Sequence, residues 1–417
     1  MRRYESYKDS GVEWLGEVPS HWDMQRSKFI FKKIERKVNE EDQIVTCFRD
    51  GQVTLRANRR TEGFTNALKE HGYQGIRKGD LVIHAMDAFA GAIGISDSDG
   101  KATPVYSVCL PRDKQKIDVY FYAYYLRNLA LSGFISSLAK GIRERSTDFR
   151  YADFAELLLP IPPYLEQQKI AQFLDDKTAK IDQAVDLAEK QIALLKEHKQ
   201  ILIQNAVTRG LNPDVPLKDS GVEWIGQVPE HWEVKKLKFV LTLSNKKEES
   251  KNSNKRYIGM ENIESFTGKI NDIPLIAEGI ANSFYKDEIL FGKLRPYLAK
   301  SYLADFDGIC STEFLVYRST KVLNNRFALN IFLSYGFIDA VNASTYGSKM
   351  PRANAEFISN MFLAIPPLSE QKQIIDYLDK QTAKIDQAIA LKTAHIEKLK
   401  EYKSVLINDV VTGKVRV

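Results

Sequence analysis

Few places in this sequence set chemically useful residues at a working spacing. His21 and His231 each precede a tryptophan, Trp22 and Trp232, and recur 210 residues apart within one repeated segment. No carboxylate or thiol partner repeats at a useful spacing from them, so they read as packing and turn residues, with tryptophan supplying buried area. Cys47, Cys109 and Cys310 form no CxxC and have no histidine at ligand spacing. That argues against a disulfide framework and a structural zinc site, and no metal ligand set is assigned. Phe89-Ala-Gly-Ala-Ile-Gly94 misses the GxGxxG spacing of a cofactor loop and reads as a strand with tight turns. GxxxxGK(S/T), HExxH and GxSxG are absent, which leaves nucleotide hydrolysis without a phosphate cradle and assigns no catalytic residue and no cofactor.

The segment Ile161-Pro-Pro-Tyr164 is similar to a tetrapeptide with which amino-methyltransferases hold a target amine, but that motif opens on Asn or Asp. Here the first residue is Ile in both copies, and Tyr164 becomes Leu368 in the second, so the prolines are assigned to a helix entrance. Binding chemistry for an anionic polymer remains. Basic loops carry Arg56, Arg59, Arg60, Lys69 and Arg77, then Lys140, Arg143 and Arg145. Further on come Lys246, Lys247, Lys251, Lys255 and Arg256, then Lys293, Arg295 and Tyr297, and finally Lys349, Arg352 and Asn354. Arginine reads guanine with two hydrogen bonds, asparagine reads adenine, and lysine neutralises phosphate. One basic loop is ordinarily a solvated face; recurrence at matching places in two bodies is the stronger signal.

Two near-identical stretches position these loops. Ile161-Pro-Pro and Ile365-Pro-Pro, 204 residues apart, each open a run that contains Thr-Ala-Lys-Ile-Asp-Gln-Ala and has no further Gly or Pro until Gly210 and Gly413. Apolar residues fall every seventh position, at Leu174, Ile181, Ala188, Leu195 and Leu202, and again at Leu378, Ile385, Leu399 and Leu406, with Lys392 in one seam place. Such a seam predicts a coiled coil. A helix of roughly 44 residues is about 65 Å long, more than an ordinary domain covers, and its natural cover is the other copy. Either orientation is topologically possible, the repeat favours antiparallel, and packing of each helix on a separate body is the alternative.

The other repeat, Lys8-Asp-Ser-Gly-Val-Glu-Trp-Leu-Gly-Glu-Val-Pro-Ser-His-Trp22 and its copy from Lys218, holds all four tryptophans. The chain therefore reads twice as entrance, variable body and long helix. Each body mixes short strands with one aromatic helix, over 120–131 and 327–337. The boundaries read as 1–160 for the first body (entrance repeat 7–29), 161–212 for the first helix, 213–364 for the second body (repeat 217–239) and 365–417 for the second helix. With 417 residues, 44% hydrophobic and 27% charged, the chain has material for two or three cores, and its net charge of +6 suits an anionic partner without requiring one. The N-terminus lacks an apolar signal core, and the chain reads as cytoplasmic.

The helix openings, the Gly-Val-Glu-Trp-x-Gly-x-Val-Pro-x-His-Trp entrances, Lys293-Leu-Arg-Pro-Tyr297 and Gly308-Ile-Cys-Ser-Thr-Glu-Phe314 together resemble the specificity subunit of Type I restriction-modification systems, over essentially the whole chain. The resemblance implies an α+β fold, with two mixed α/β target-recognition domains joined by two long antiparallel coiled-coil helices, pseudo-two-fold symmetric. It implies that each domain reads one half of a split double-stranded DNA target. The helices would act as spacer and as docking site for two methyltransferase (modification) subunits, with restriction or motor subunits added in the full complex and no catalysis in the chain itself. The first body departs from the second, with Ile83-His-Ala-Met-Asp-Ala-Phe89 where Lys-Leu-Arg-Pro-Tyr would stand. A DNA-acting enzyme and a purely structural coiled-coil adaptor are the rival readings; the first would need a carboxylate cluster or a cofactor loop.

Overall fold

The computed structural model describes residues 2–59, 71–138, 148–277, 279–347 and 349–417, so Arg60, Lys69, Lys140, Arg143 and Arg145 lie outside the described residues. The chain divides into two compact units, Met1–Leu187 with Ala394–Val417, and Ala188–Thr393.

In the first unit a hairpin pairs Tyr7–Asp9 with Glu17–Pro19. Gly16 turns it at φ 69°, left-handed backbone that a Cβ would strain. Trp22 then enters the core, fully buried and edge-on to Phe121. The strand Asp23–Arg26 pairs with Leu158–Ile161, so the body's two ends lie side by side where the first long helix starts. Between them runs an antiparallel sheet in the order Phe31–Ile34, Tyr106–Pro111, Leu81–His84, Ile93–Ile95. The helix Val119–Leu131 begins where the Asp118 carboxylate accepts the N–H groups of Tyr120 and Phe121. Its buried face, with Phe121, Tyr122, Tyr125 and Leu126, joins Leu81 and Ile83 in one core.

The second unit repeats the plan. Leu217–Asp219 pairs with Gln227–Pro229, and Glu233–Lys236 with Phe362–Ile365. The equivalent sheet runs Leu241–Ser244, Phe314–Ser319, Ile289–Gly292, Ser301–Leu303. A further sheet, ordered Lys247–Glu249, Ile280–Phe284, Gly308–Cys310, Tyr257–Ile258, stands where the first unit has two-stranded ribbons. The single aromatic helix expected over 327–337 is instead two, Asn325–Phe332 and Tyr335–Ala343. The break at buried Ser334 seats Gly336 against the first long helix, where its N–H donates to Gln204 Oε1 at 2.9 Å. A Cβ on Gly336 would lie 2.8 Å from the Trp224 carbonyl, so the approach requires glycine.

The long helices are Tyr164–Arg209 and Leu368–Val411. Within the second unit Lys199 meets Asp386 at 2.7 Å and Lys392 meets Gln191 at 2.6 Å; one number rises as the other falls, so the helices run antiparallel. Within the first unit Lys403 meets Asp182 at 2.6 Å. These two ion pairs are one pair of the repeat with the helices exchanged. Lys392, the polar interruption of the seam, is half-buried on Gln191, the kind of pairing that fixes a coiled-coil register. At the end of the first helix the buried stripe leaves Leu195 and Leu202, which are half-buried, for Ile203, Ala206 and Val207. A seven-residue stripe drifts about 20° per heptad on an ideal helix, and here the second unit's core around Trp232 encloses that end.

The first turns of both helices explain the repeated Glu-Gln dipeptide and correct the reading of the histidines. His21 Nε2 lies 2.8 Å from Glu166 Oε2, and Trp22 Nε1 donates to Glu166 Oε1 at 3.2 Å. The second copy places His231 2.8 Å and Trp232 3.1 Å from Glu370 Oε2. The repeated carboxylate exists, but it lies in the other repeat, more than a hundred residues along the chain. Beside it Gln371, fully buried, accepts the N–H of Asn324 at 2.7 Å and donates to the carbonyls of Val322 and Pro366 at 2.9 and 2.8 Å. Gln167 does the same for Asp118 N–H, Lys116 O and Pro162 O. Removing this amide strands three backbone groups, each worth about 1–3 kcal/mol when buried and unpaired. Gln371→Ala or Gln167→Ala is therefore expected to lower stability by about 3 kcal/mol or more, read from urea unfolding; a loss under about 0.5 kcal/mol would mean that water replaces the amide.

Candidate nucleic-acid interface

In the second unit three loops are clasped by backbone hydrogen bonds. Lys293, just after the strand Ile289–Gly292, donates its N–H to Glu313 O at 2.9 Å, and its carbonyl accepts from Ala353 N at 2.8 Å. Arg295 N donates to Pro351 O at 2.7 Å, which brings 293–299, 311–313 and 349–354 together. Arg295 is exposed and left-handed, at φ 50° and ψ 61°, before the short turn Pro296–Leu298. Ala299 is left-handed as well, at φ 44°. Non-glycine residues in this region cost roughly 1–2 kcal/mol each and collect where function fixes a backbone. Pro296 helps by excluding right-handed helix for Arg295.

The sequence-derived residues of this unit fall into place around the clasp. Tyr297 and Lys349 are exposed, as are Tyr346 and Met350, while Lys293 is half-buried. Arg352 is held side-on by Glu313, with Nε at 3.1 Å and Nη2 at 2.9 Å from Oε1. That bond raises the guanidinium pKa and keeps its charge fixed. Asn354 Oδ1 accepts the N–H groups of Glu356 and Phe357 and caps the helix Ala355–Asn360, which occupies its oxygen.

The first unit builds the same clasp from different residues. Ala85 N donates to Val105 O at 3.1 Å, and Phe149 N donates to Ala85 O at 3.0 Å. The turn Ala88–Ala90 stands for Pro296–Leu298, and Gly91, at φ 90°, for Ala299. By this correspondence Asp87 takes the place of Arg295, Val105 that of Glu313, and Asp148 that of Arg352. Cations come instead from the turn between the paired strands Val45–Cys47 and Val53–Leu55 and from the residues just after the second of them. Arg49 Nη2 donates to Asp87 at 2.8 Å, and Arg59 donates to Asp50 at 2.6 Å while lying 4.3 Å over the Phe48 ring. Arg56 is half-buried, with Nε on Thr46 Oγ1 at 3.3 Å. His84, beneath the clasp, accepts the Asp87 N–H on Nδ1 at 3.0 Å, and burial lowers its pKa against the opposing pull of Asp87.

Three members of these clusters are given no binding role by the sequence reading, although Asp87 and Glu313 stand in motifs it quotes. Arg49 is an isolated basic residue in the chain, and Asp87 and Glu313 are acids in loops sought for cations. The position shared by Lys293 and Ala85, one residue past matching strands, was the available signal.

A doubled frame that differs chiefly in exposed, charged loops defines a class, a two-site recognition protein for an anionic partner. Residues 27–196 and 229–401 match the Type I restriction modification DNA specificity domain, and the chain belongs to that family of DNA sequence-recognition subunits. It is 23% identical over 423 residues to the putative type I restriction enzyme MjaX specificity subunit of Methanocaldococcus jannaschii, covering 97% of this chain and 96% of that one. To the EcoDI specificity subunit of Escherichia coli it is 26% identical over 257 residues, 57% of each chain. Among solved structures, a chain from work on complex assembly and conformational transition of the type I R-M system aligns with a TM-score of 0.72 at 13% identity, over 95% of this chain and 99% of that one. The HsdS subunit from Thermoanaerobacter tengcongensis gives 0.55 at 16% identity, over 95% and 98%. These structural likenesses speak for the fold.

Strain at Arg295 gives a clean stability test. Glycine adopts φ 50° freely but loses more chain entropy on folding, and the two effects nearly offset. Arg295→Gly is expected to stay within about 1 kcal/mol of the parent in thermal unfolding; a larger loss would show that the side chain itself packs.

Proposed function

We propose that the two bodies, 1–160 and 213–364, each read one half of a bipartite duplex sequence. In this reading the long helices set the interval between the halves and dock two modification subunits. Restriction or motor subunits join in the full cytoplasmic complex, and the chain itself has no catalytic role. One observation carries the reading: the same backbone clasp bears Arg295, Glu313 and Arg352 in one unit and Asp87, Val105 and Asp148 in the other. Two sites of one design with opposed side-chain chemistry suit two different base sequences. Arg295, Arg352, Lys293, Tyr297, Lys349 and Asn354 are assigned to the second half-site, and Arg56 and Arg59 to the first. Arg60, Lys140, Arg143 and Arg145 complete the first by sequence alone.

Arg295→Ala is expected to weaken binding of the second half-site by about 1–3 kcal/mol if the guanidinium makes a bidentate base contact. The first half-site should keep its base preference when bound duplexes are selected from a randomised library and sequenced. Equal loss of selectivity at both halves would refute two independent readers. Purified alone with S-adenosylmethionine, or with ATP and magnesium, the full chain is expected neither to methylate nor to cut DNA. Turnover by a preparation free of other subunits would overturn the non-catalytic assignment.

A further inference from the structure

We propose that Glu313 and Asp87 are positioning residues for base recognition, each holding one arginine, Arg352 in the second unit and Arg49 in the first, with a free guanidinium edge available to a guanine. The proposal rests on the DNA-reading function above and adds residues which that reading does not use.

Guanidinium carries five N–H donors, on Nε and the two Nη atoms. Glu313 takes the side edge of Arg352, through Nε at 3.1 Å and Nη2 at 2.9 Å from Oε1. Among the described residues nothing else takes the protons on Nη1 or the second proton on Nη2, and one from each nitrogen forms the parallel fork that matches guanine O6 and N7. A fork fixed before binding loses less side-chain entropy when it docks. In the first unit Asp87 takes Nη2 of Arg49 at 2.8 Å, and Arg49 is two-thirds exposed. Asp87 is itself fixed, since its N–H donates to His84 Nδ1 at 3.0 Å in the turn below.

Charge supports the same assignment. A carboxylate beside a DNA-binding loop repels phosphates and cancels part of an arginine's attraction, so Glu313 weakens general electrostatic binding. An acid placed there fits a role in discrimination rather than in affinity. The two acids come from different loops of the clasp, Glu313 from the segment before Phe314–Ser319 and Asp87 from the turn after Leu81–His84. The pairing therefore does not follow from the backbone correspondence, which sets Val105 opposite Glu313. An arginine held by a carboxylate arises twice on different scaffold positions, side-on through Nε and Nη2 at Arg352 and through Nη2 at Arg49.

The test uses the full-length chain in the complex it forms with modification subunits, with randomised duplexes as probe, and compares Glu313→Gln, Arg352→Ala and Arg352→Lys. Arg352→Ala should lose guanine preference at one position of one half-site by about tenfold or more. Glu313→Gln should lose about three- to tenfold at that same position, with non-specific affinity unchanged or higher. Its salt dependence should also be unchanged, because the cation remains, whereas loss of a phosphate contact lowers the slope by about 1. Arg352→Lys, which keeps the charge without the fork, should behave as Arg352→Ala in base preference and as the parent in salt slope. Asp87→Asn should act likewise on the other half-site. If Arg352→Ala changes only overall affinity and salt slope, or if Glu313→Gln leaves base preference intact, the proposal is wrong while the DNA-reading function stands. A parent complex without any base preference would instead remove the function on which it rests. Thermal unfolding of each variant separates a folding defect, which would lower all binding together, from the expected loss at one base.

Discussion

The bond between a glutamate in the first turn of each long helix and the Trp-His pair of each entrance is the constraint on which the structure depends. Glu166 and Glu370 each bind an indole N–H and an imidazole nitrogen, and the neighbouring Gln167 and Gln371 bind the backbone ahead of the body's helix. Three segments distant in sequence are thereby fixed at one helix end: the entrance, the loop before the body's helix and the Pro-Pro turn. Partly buried hydrogen bonds to a carboxylate are stronger than neutral ones, and the helix N-terminus favours negative charge there. The first copy adds Tyr4, whose hydroxyl donates to Glu166 at 2.5 Å and whose pKa is raised by burial and by that carboxylate. A body anchored in this way transmits the direction of its helix to its loops.

The seam of the helices is both apolar and addressed. Leu174, Ile181, Ile385 and Ile396 supply buried area, which has no preferred register of its own. Register comes from polar pairs whose loss would leave a half-buried charge: Lys199 on Asp386, Lys403 on Asp182 and Lys392 on Gln191. Lys199 shows the balance, since it is nearly buried and thus needs Asp386 more than an exposed pair would.

Much of this was legible in the sequence, and the parts that were not have physical causes. The long helices announced themselves through a seven-residue stripe free of Gly and Pro, and the doubling through plain repetition of Thr-Ala-Lys-Ile-Asp. Antiparallel pairing followed from the repeat. The role of His21 was hidden because its carboxylate, Glu166, lies 145 residues away and belongs to the other repeat. The break at Ser334 was hidden because aromatic and aliphatic residues run on both sides of it, and tertiary contact of Gly336 with Gln204 favours two helices over one. Arg49 and Asp87 were hidden because isolated charges in short turns carry no periodicity, and a search for basic clusters passes over acids.

The clasp also explains how one fold can carry two chemistries. Its defining bonds, Lys293 N to Glu313 O and Ala353 N to Lys293 O, with Ala85 N to Val105 O and Phe149 N to Ala85 O, run between backbone atoms and so make no demand on side-chain identity. Exchanging Arg295 for Asp, or Arg352 for Asp, alters the surface charge by two units at each place and leaves every one of these bonds intact. The loops enter the cores only through apolar members, Ala88 and Phe149 in the first unit and Ala299 and Ala353 in the second, where Leu81 and Ile83, and Ile289 and Phe291, keep the strands in place. Folding is thus secured by apolar burial and backbone hydrogen bonds, while recognition is left to side chains on which the fold places little requirement. The left-handed backbone is the point where the two meet. Gly91 adopts it freely, while Ala299, in the same place, is held there by the surrounding clasp.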